Sequence, residues 1–213
     1  MDTYRQQFVA FAASRQALRF GQFVTKAGRT SPYFFDSGLF NDGASLARLT
    51  ELYAEGIMAS GIAFDMLYGP AYKGIPLVSG VSIALARAGH NFPYAFNRKE
   101  IKDHGEGGAI IGAPLQGRVL IVDDVISAGT SVRESLAHIE AAGASAAGVV
   151  IALDRMERGT GALSAVDEVR RQMGLPVISI ANLDDVVEYL GRDPTMAGSL
   201  AAVRDYRNRY GSH

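Results

Sequence analysis

The stretch that most constrains this chain runs Val119-Leu-Ile-Val-Asp-Asp-Val-Ile-Ser-Ala-Gly-Thr-Ser131. Apolar β-formers end in two adjacent carboxylates, Asp123 and Asp124; small residues follow, and a helical pattern starts near Thr130. That order predicts a buried strand, a tight loop and a helix N-terminus. The free N–H groups of a helix N-terminus and the positive end of its dipole form an anion site. Ser127, Thr130 and Ser131 add hydroxyls. A lone Asp in such a place often serves only as a helix cap. Two carboxylates beside a phosphate cradle suit a ligand that also carries hydroxyls or a divalent cation. Ribose 5-phosphate has a phosphate and a vicinal diol.

Composition narrows the class. The 213 residues fit one domain with room for a small appendage. A formal net charge of −1 gives no support to a nucleic-acid or membrane partner. With no cysteine there are no disulfides or thiolate metal sites, which fits a reducing compartment. The polar start of the chain is not a signal peptide, and no apolar run approaches the ~20 residues of a membrane helix. A cytoplasmic protein is expected.

Helices are expected from Asp2 to about Leu18, at Gly43 to Ser60, Ile75 to Ala88, Thr130 to Ala142, Ser164 to Met173, Leu183 to Leu190 and Met196 to Tyr210. Strands are expected at Phe20 to Val24, Tyr33 to Asp36, Met66 to Tyr68, Pro93 to Asn97, Val119 to Val122, Ala147 to Leu153 and Val177 to Ile180, with a turn at Gly28 to Pro32. From Met66 onward strands alternate with helices. This predicts an α/β fold whose central, mostly parallel sheet is flanked by helices. Ligands of such sheets bind beyond the carboxyl ends of the strands.

Residues after the strands are therefore the candidates. Gly69-Pro-Ala-Tyr-Lys-Gly74 is a second small-residue loop entering a helix, with Tyr72 and Lys73 inside it. Lys73 is either a solvated charge or the ammonium of a second anion site. Arg98 to Gly108 gathers Arg98, Lys99, Lys102 and His104 among glycines, as a solvated loop or as a mobile cationic lid over phosphates. Lys26 lies beside the N-terminal turn. Phe34 and Phe35 face opposite sides of a strand, so that one can be core and the other can cover a planar ligand. Arg155, after the strand ending at Leu153, is a surface residue or a partner for a carboxylate. The four histidines show no metal-ligand clustering.

Val119 to Ser131 resembles the 5-phosphoribosyl diphosphate (PRPP) motif of the type I phosphoribosyltransferases. Together with Lys26, Phe34-Phe35, Tyr72-Lys73, the Arg98 to Gly108 lid and Arg155, in that order, the chain resembles the orotate phosphoribosyltransferases over nearly its whole length. The resemblance implies Mg²⁺-dependent exchange between orotate plus PRPP and orotidine 5′-monophosphate plus diphosphate, in pyrimidine (UMP) biosynthesis. It also implies that PRPP is held by Lys26, Tyr72, Lys73, Arg98, Lys99, Lys102, His104, Asp123, Asp124, Val125, Ile126, Ser127, Ala128, Gly129, Thr130 and Ser131. Orotate would meet Phe34, Phe35, Ser127 and Arg155. Lys102, Asp123 and Asp124 are implied to be catalytic. Mg²⁺ is implied to be held mainly by substrate and water, with no direct protein ligand. A single domain with a small N-terminal hood, mainly within residues 1–40, is implied, and so is a homodimer, each 98–108 lid reaching its neighbour's site. Ser127 stands where the family has threonine, which keeps the hydroxyl. A PRPP-sensing regulator would need a DNA-binding module or a basic face, and neither is evident. A purine-type transferase has no need of a cation such as Arg155 facing a carboxylate.

Overall fold

The computed structural model describes residues 3–25, 28–102, 108–127, 129–159 and 161–212, and, within these, no side chain in 100–102. Lys26, His104 and Ala128 lie outside the described residues.

The chain runs α1 (Tyr4–Ser14), β1 (Leu18–Val24), β2 (Thr30–Phe35), α2 (Gly43–Ser60), β3 (Met66–Gly69), α3 (Gly74–Arg87), β4 (Tyr94–Lys102), β5 (Gly108–Gly112), β6 (Arg118–Val122), α4 (Thr130–Ala141), β7 (Ser145–Asp154), α5 (Ala165–Gln172), β8 (Val177–Asn182), α6 (Leu183–Gly191) and α7 (Ala197–Tyr210). The main sheet has the order β5-β4-β3-β6-β7-β8. All its pairings are parallel except β4 with β5. Strands β1 and β2 form a separate antiparallel hairpin, the hood.

Side chains of the central strands alternate between two cores, as the period of a strand requires. Leu67, Leu120, Val122, Val150 and Ala152 enter the core shared with α1, α2, α3, α6 and α7. Met66, Tyr68, Val119, Ile121, Val149 and Ile151 enter the core beneath α4 and α5. Both faces are therefore dry, which is why these strands read as unbroken apolar runs. Four helices begin on a side-chain cap: Thr3, Asp42, Ser164 and Asn182 each accept a hydrogen bond from the first turn. Helices α3 and α4 carry no side-chain cap; the first N–H groups of α3, those of Gly74 and Ile75, donate instead to the Pro70 and Tyr72 carbonyls at 2.9 and 3.2 Å.

Two expectations change. Arg98 to Lys102 is not loop but the outer half of β4, and Gly108 to Gly112 is a strand where none was expected. The run pairs with itself as an antiparallel arm, with Lys102 opposite Gly108 and an irregularity between Asn97 and Lys102. Glycine flanks hide Ala109-Ile110-Ile111, which is too short to show a period. The Gly28 to Pro32 turn is shorter than expected, since β2 already starts at Thr30.

The strand order places the site. Connections from β3 lead to one side of the sheet and those from β6 to the other, so a crevice opens between their carboxyl ends. The β3–α3 turn is tight: a Cβ at Gly69 would lie 2.2 Å from the Gly74 carbonyl oxygen and 2.6 Å from Val78 Cγ1. Gly69→Ala is therefore expected to force the backbone apart. A loss of about 1–3 kcal/mol in urea-unfolding stability is the expected result.

Candidate active site

The two small-residue loops meet. One cavity of about 490 Å³ is lined by Pro70, Ala71, Tyr72, Lys73, Lys99, the run from Asp123 to Ser127 and the run from Gly129 to Val132. Lys73 and Thr130, far apart in sequence, thus face the same space at the sheet's switch point. On the β6 side, Gly129 adopts φ 68°, where a Cβ is costly, and turns the chain into α4 with its first N–H groups uncapped. On the β3 side, Asn97 Oδ1 accepts the Ala71 N–H at 2.7 Å and ties the loop to β4. The Lys99 ammonium sits 5.1 Å from the Tyr72 ring centroid. Arg98 is half-buried and is not among the described residues lining this cavity. Lys26, His104 and Ala128 lie outside the described residues, as does the Lys102 side chain.

Asp123 and Asp124 form the cavity floor, and both are buried. Asp124 Oδ2 accepts from Lys73 Nζ at 2.8 Å and from Ser37 Oγ at 2.6 Å; Oδ1 accepts the Val125 N–H at 2.9 Å. Asp123 Oδ2 accepts from Ser131 Oγ at 2.6 Å, and Oδ1 accepts the Asp124 N–H at 2.9 Å. Beneath them the Tyr53 hydroxyl donates to the Asp123 carbonyl oxygen at 2.9 Å. Burial pushes the Asp123 carboxyl up to about 6, the Ser131 hydroxyl opposes this and the Asp124 charge adds to it. Burial alone would lower the Lys73 ammonium, but the Asp124 carboxylate holds it above its ordinary value.

A second cavity of about 390 Å³ adjoins the first through Val125, Ile126 and Ser127. Phe34, Phe35, Leu153, Asp154, Arg155 and Glu157 help to line it. Phe35 turns into the core against Phe8 and Phe40, whereas Phe34 is 36% exposed and stacks on Phe23 at 5.6 Å. Phe34 is thus the ring with free surface. Arg155 meets a carboxylate of its own chain, donating to Glu157 Oε1 from Nη2 at 2.5 Å. Its guanidinium lies 4.5 Å from the Tyr33 ring centroid.

Four residues that shape these cavities went unread in the sequence: Ser37, Tyr53, Asn97 and Glu157. Asn97 and Glu157 carried a signal, since Asn97 ends the strand expected from the sequence and Glu157 lies just past the carboxyl end of β7. Ser37 and Tyr53 are brought in only by tertiary packing.

The raised Asp123 carboxyl makes stability depend on pH. It shifts from an ordinary 3.8 to about 6 on folding, so the folded state keeps a proton that the unfolded state loses. Its contribution is fully present below the unfolded value and is lost as pH rises through the folded one. Between pH 4 and 7.5, wild type is expected to lose about 2–3 kcal/mol relative to Asp123→Asn, read from urea unfolding at both pH values.

A family model described as the phosphoribosyl transferase domain matches residues 38–170. The orotate phosphoribosyltransferase of Nitrosospira multiformis is 63% identical over 212 residues, covering 100% of this chain and 93% of that protein. That of Thiobacillus denitrificans is 64% identical over 211 residues, covering 99% and 100%. The crystal structure of the Francisella tularensis orotate phosphoribosyltransferase superimposes with a TM-score of 0.87 at 41% identity, over 97% of this chain and 100% of that one. In fold alone, the chain is also like the Mycobacterium tuberculosis orotate phosphoribosyltransferase solved in complex with PRPP, with a TM-score of 0.64 at 20% identity over 86% and 99%. By sequence along its whole length and by the type I fold of its sheet, the chain belongs to the orotate phosphoribosyltransferases, a family of pentosyltransferases.

Proposed function

We propose that this protein transfers ribose 5-phosphate from PRPP to orotate with Mg²⁺, releasing diphosphate and forming orotidine 5′-monophosphate for UMP synthesis. The observation that carries this reading is the pair of small-residue loops facing one cavity, which continues into a second, aromatic-edged cavity through residues 125–127. A donor charged at both ends spans the first cavity, and a planar acceptor fills the second.

In this reading the amides and hydroxyls of Ser127 to Ser131 hold the 5-phosphate. Asp123 and Asp124 accept from the ribose hydroxyls. Tyr72 and Lys73 hold the diphosphate, with Lys26 and Lys99 beside them, and Arg98, Lys102 and His104 come from the β4–β5 arm. Phe34 covers the base, while Arg155 and Ser127 engage its polar edge. The anomeric carbon–diphosphate bond breaks as an orotate ring nitrogen attacks from the opposite face. Lys102 stabilises charge on the leaving oxygens, and closure of the arm excludes water. Positioning and electrostatics supply the rate, with no covalent intermediate.

The donor set fits Mg²⁺ carried by the substrate. Among the described residues no group of three His, Cys, Asp or Glu could cage an ion, and the carboxylate pair already has hydrogen-bond partners. When bound, the ion neutralises diphosphate charge. The reading also takes the enzyme as a homodimer whose arms cross to the neighbouring site. It is placed in the cytoplasm, in keeping with the absence of cysteine and of any described helix able to cross a membrane.

The test is incubation with PRPP, Mg²⁺ and a panel of bases. Loss of the orotate absorbance band without turnover of adenine, hypoxanthine or uracil is expected; turnover of a purine alone would overturn the reading. Lys102→Ala should lower kcat by about a hundredfold or more with the fold intact by circular dichroism, and unchanged kcat would remove the arm from the mechanism. Mixing Lys102→Ala with Asp124→Asn protein should restore part of the activity. Arms that cross the interface leave one unmodified site in each mixed dimer.

A further inference from the structure

The second cavity contains a hub that this reading leaves unused. Glu157 Oε1 accepts from Arg155 Nε at 3.1 Å, from Arg155 Nη2 at 2.5 Å and from the Tyr33 hydroxyl at 2.9 Å. Its Oε2 accepts from the Tyr206 hydroxyl at 3.2 Å. Arg155 Nη2 also donates to Ser31 Oγ at 3.2 Å. One carboxylate thus gathers the hood strand β2, the segment after β7 and the C-terminal helix α7. Its side chain is 15% exposed and that of Arg155 is 26% exposed.

The backbone brings the pair together. Met156 between them has φ 52°, a left-handed turn that non-glycine residues seldom adopt, and its N–H is held by Asp154 Oδ1 at 2.8 Å. The C-terminal residues brace the same turn: Ser212 N–H donates to the Met156 carbonyl at 2.8 Å, and Arg158 N–H to the Tyr210 carbonyl at 2.8 Å.

We propose that Glu157 is the positioning residue of the base site: it locks the Arg155 guanidinium so that Nη1, which has no partner among the described residues, is offered to the carboxylate of the base. This rests on the reading of that cavity as the orotate site. A free arginine side chain loses rotamer entropy when a ligand fixes it, and a guanidinium already clamped on Nε and Nη2 does not lose it again on binding. The clamp costs charge, because Glu157 offsets Arg155. Electrostatics and positioning therefore predict opposite signs. Removing the negative charge tightens binding of an anionic base if charge governs, and weakens it if alignment governs.

The experiment is steady-state kinetics of wild type, Glu157→Gln and Tyr206→Phe, with orotate and PRPP varied in turn, and with uracil as a competitor that lacks the carboxylate. Glu157→Gln is expected to raise the orotate KM about tenfold, the worth of one well-aligned charge-assisted hydrogen bond. The PRPP KM and the uracil inhibition constant should stay within about twofold. Tyr206→Phe moves the orotate KM the same way by less, and it decides the matter if Glu157→Gln does not fold. An unchanged or lowered orotate KM, or an equal rise for PRPP, overturns the proposal. Wild type that fails to turn over orotate would overturn the substrate reading itself, and this one with it.

Discussion

Everything in this molecule is arranged around the reversal of strand order between β3 and β6. Two adjacent parallel strands there send their connections to opposite sides, and the gap cannot be filled by either helix. The loops that edge it are short, glycine-bearing and dry on the core side. They can hold polar groups only because those groups bond to one another, through Asn97, Ser37, Ser131 and Tyr53. Buried polar groups without such partners would cost far more than the loops could tolerate.

The hood is the second constraint. It is a two-stranded hairpin, too small to stand alone. Phe35 and Tyr33 anchor it in the core, and Arg29 reaches across to the Arg158 and Gly159 carbonyls at 2.8 and 3.2 Å. That latch brings Phe34 and Ser31 to the segment after β7. The second cavity therefore exists only because sequence-distant pieces are docked: one hairpin from the N-terminus, one turn after β7 and one helix from the C-terminus.

Much of this was legible in the residues. Val119 to Ser131 carries strand, loop and helix start in one run, each with an unambiguous composition, and the loops after β3 and β6 could be named because parallel sheets bind ligands at that edge. The β4–β5 arm was misread, since glycine and charge dominate its tip while pairing is set by strands on either side. Tyr53 and Ser37 were beyond reach: a tyrosine on a helix face reads as core, and its hydrogen bond to Asp123 is decided by how α2 lies on the sheet. Arg155 was found, but not its neighbour two positions on, because only a left-handed Met156 turns Glu157 back toward it.

The Lys73–Asp124 contact has a wider meaning. Each group serves as the other's stand-in ligand while the crevice is open to water, so neither waits as a bare charge beneath the surface. In the proposed reading an arriving donor exchanges this internal ion pair for one between Lys73 and its diphosphate and for hydroxyl hydrogen bonds to Asp124, and its net gain is the difference. Changing either residue alone strands its mate, with the carboxylate the worse off since it lies deeper. The two positions are therefore energetically tied, and a change at one alters what the other contributes.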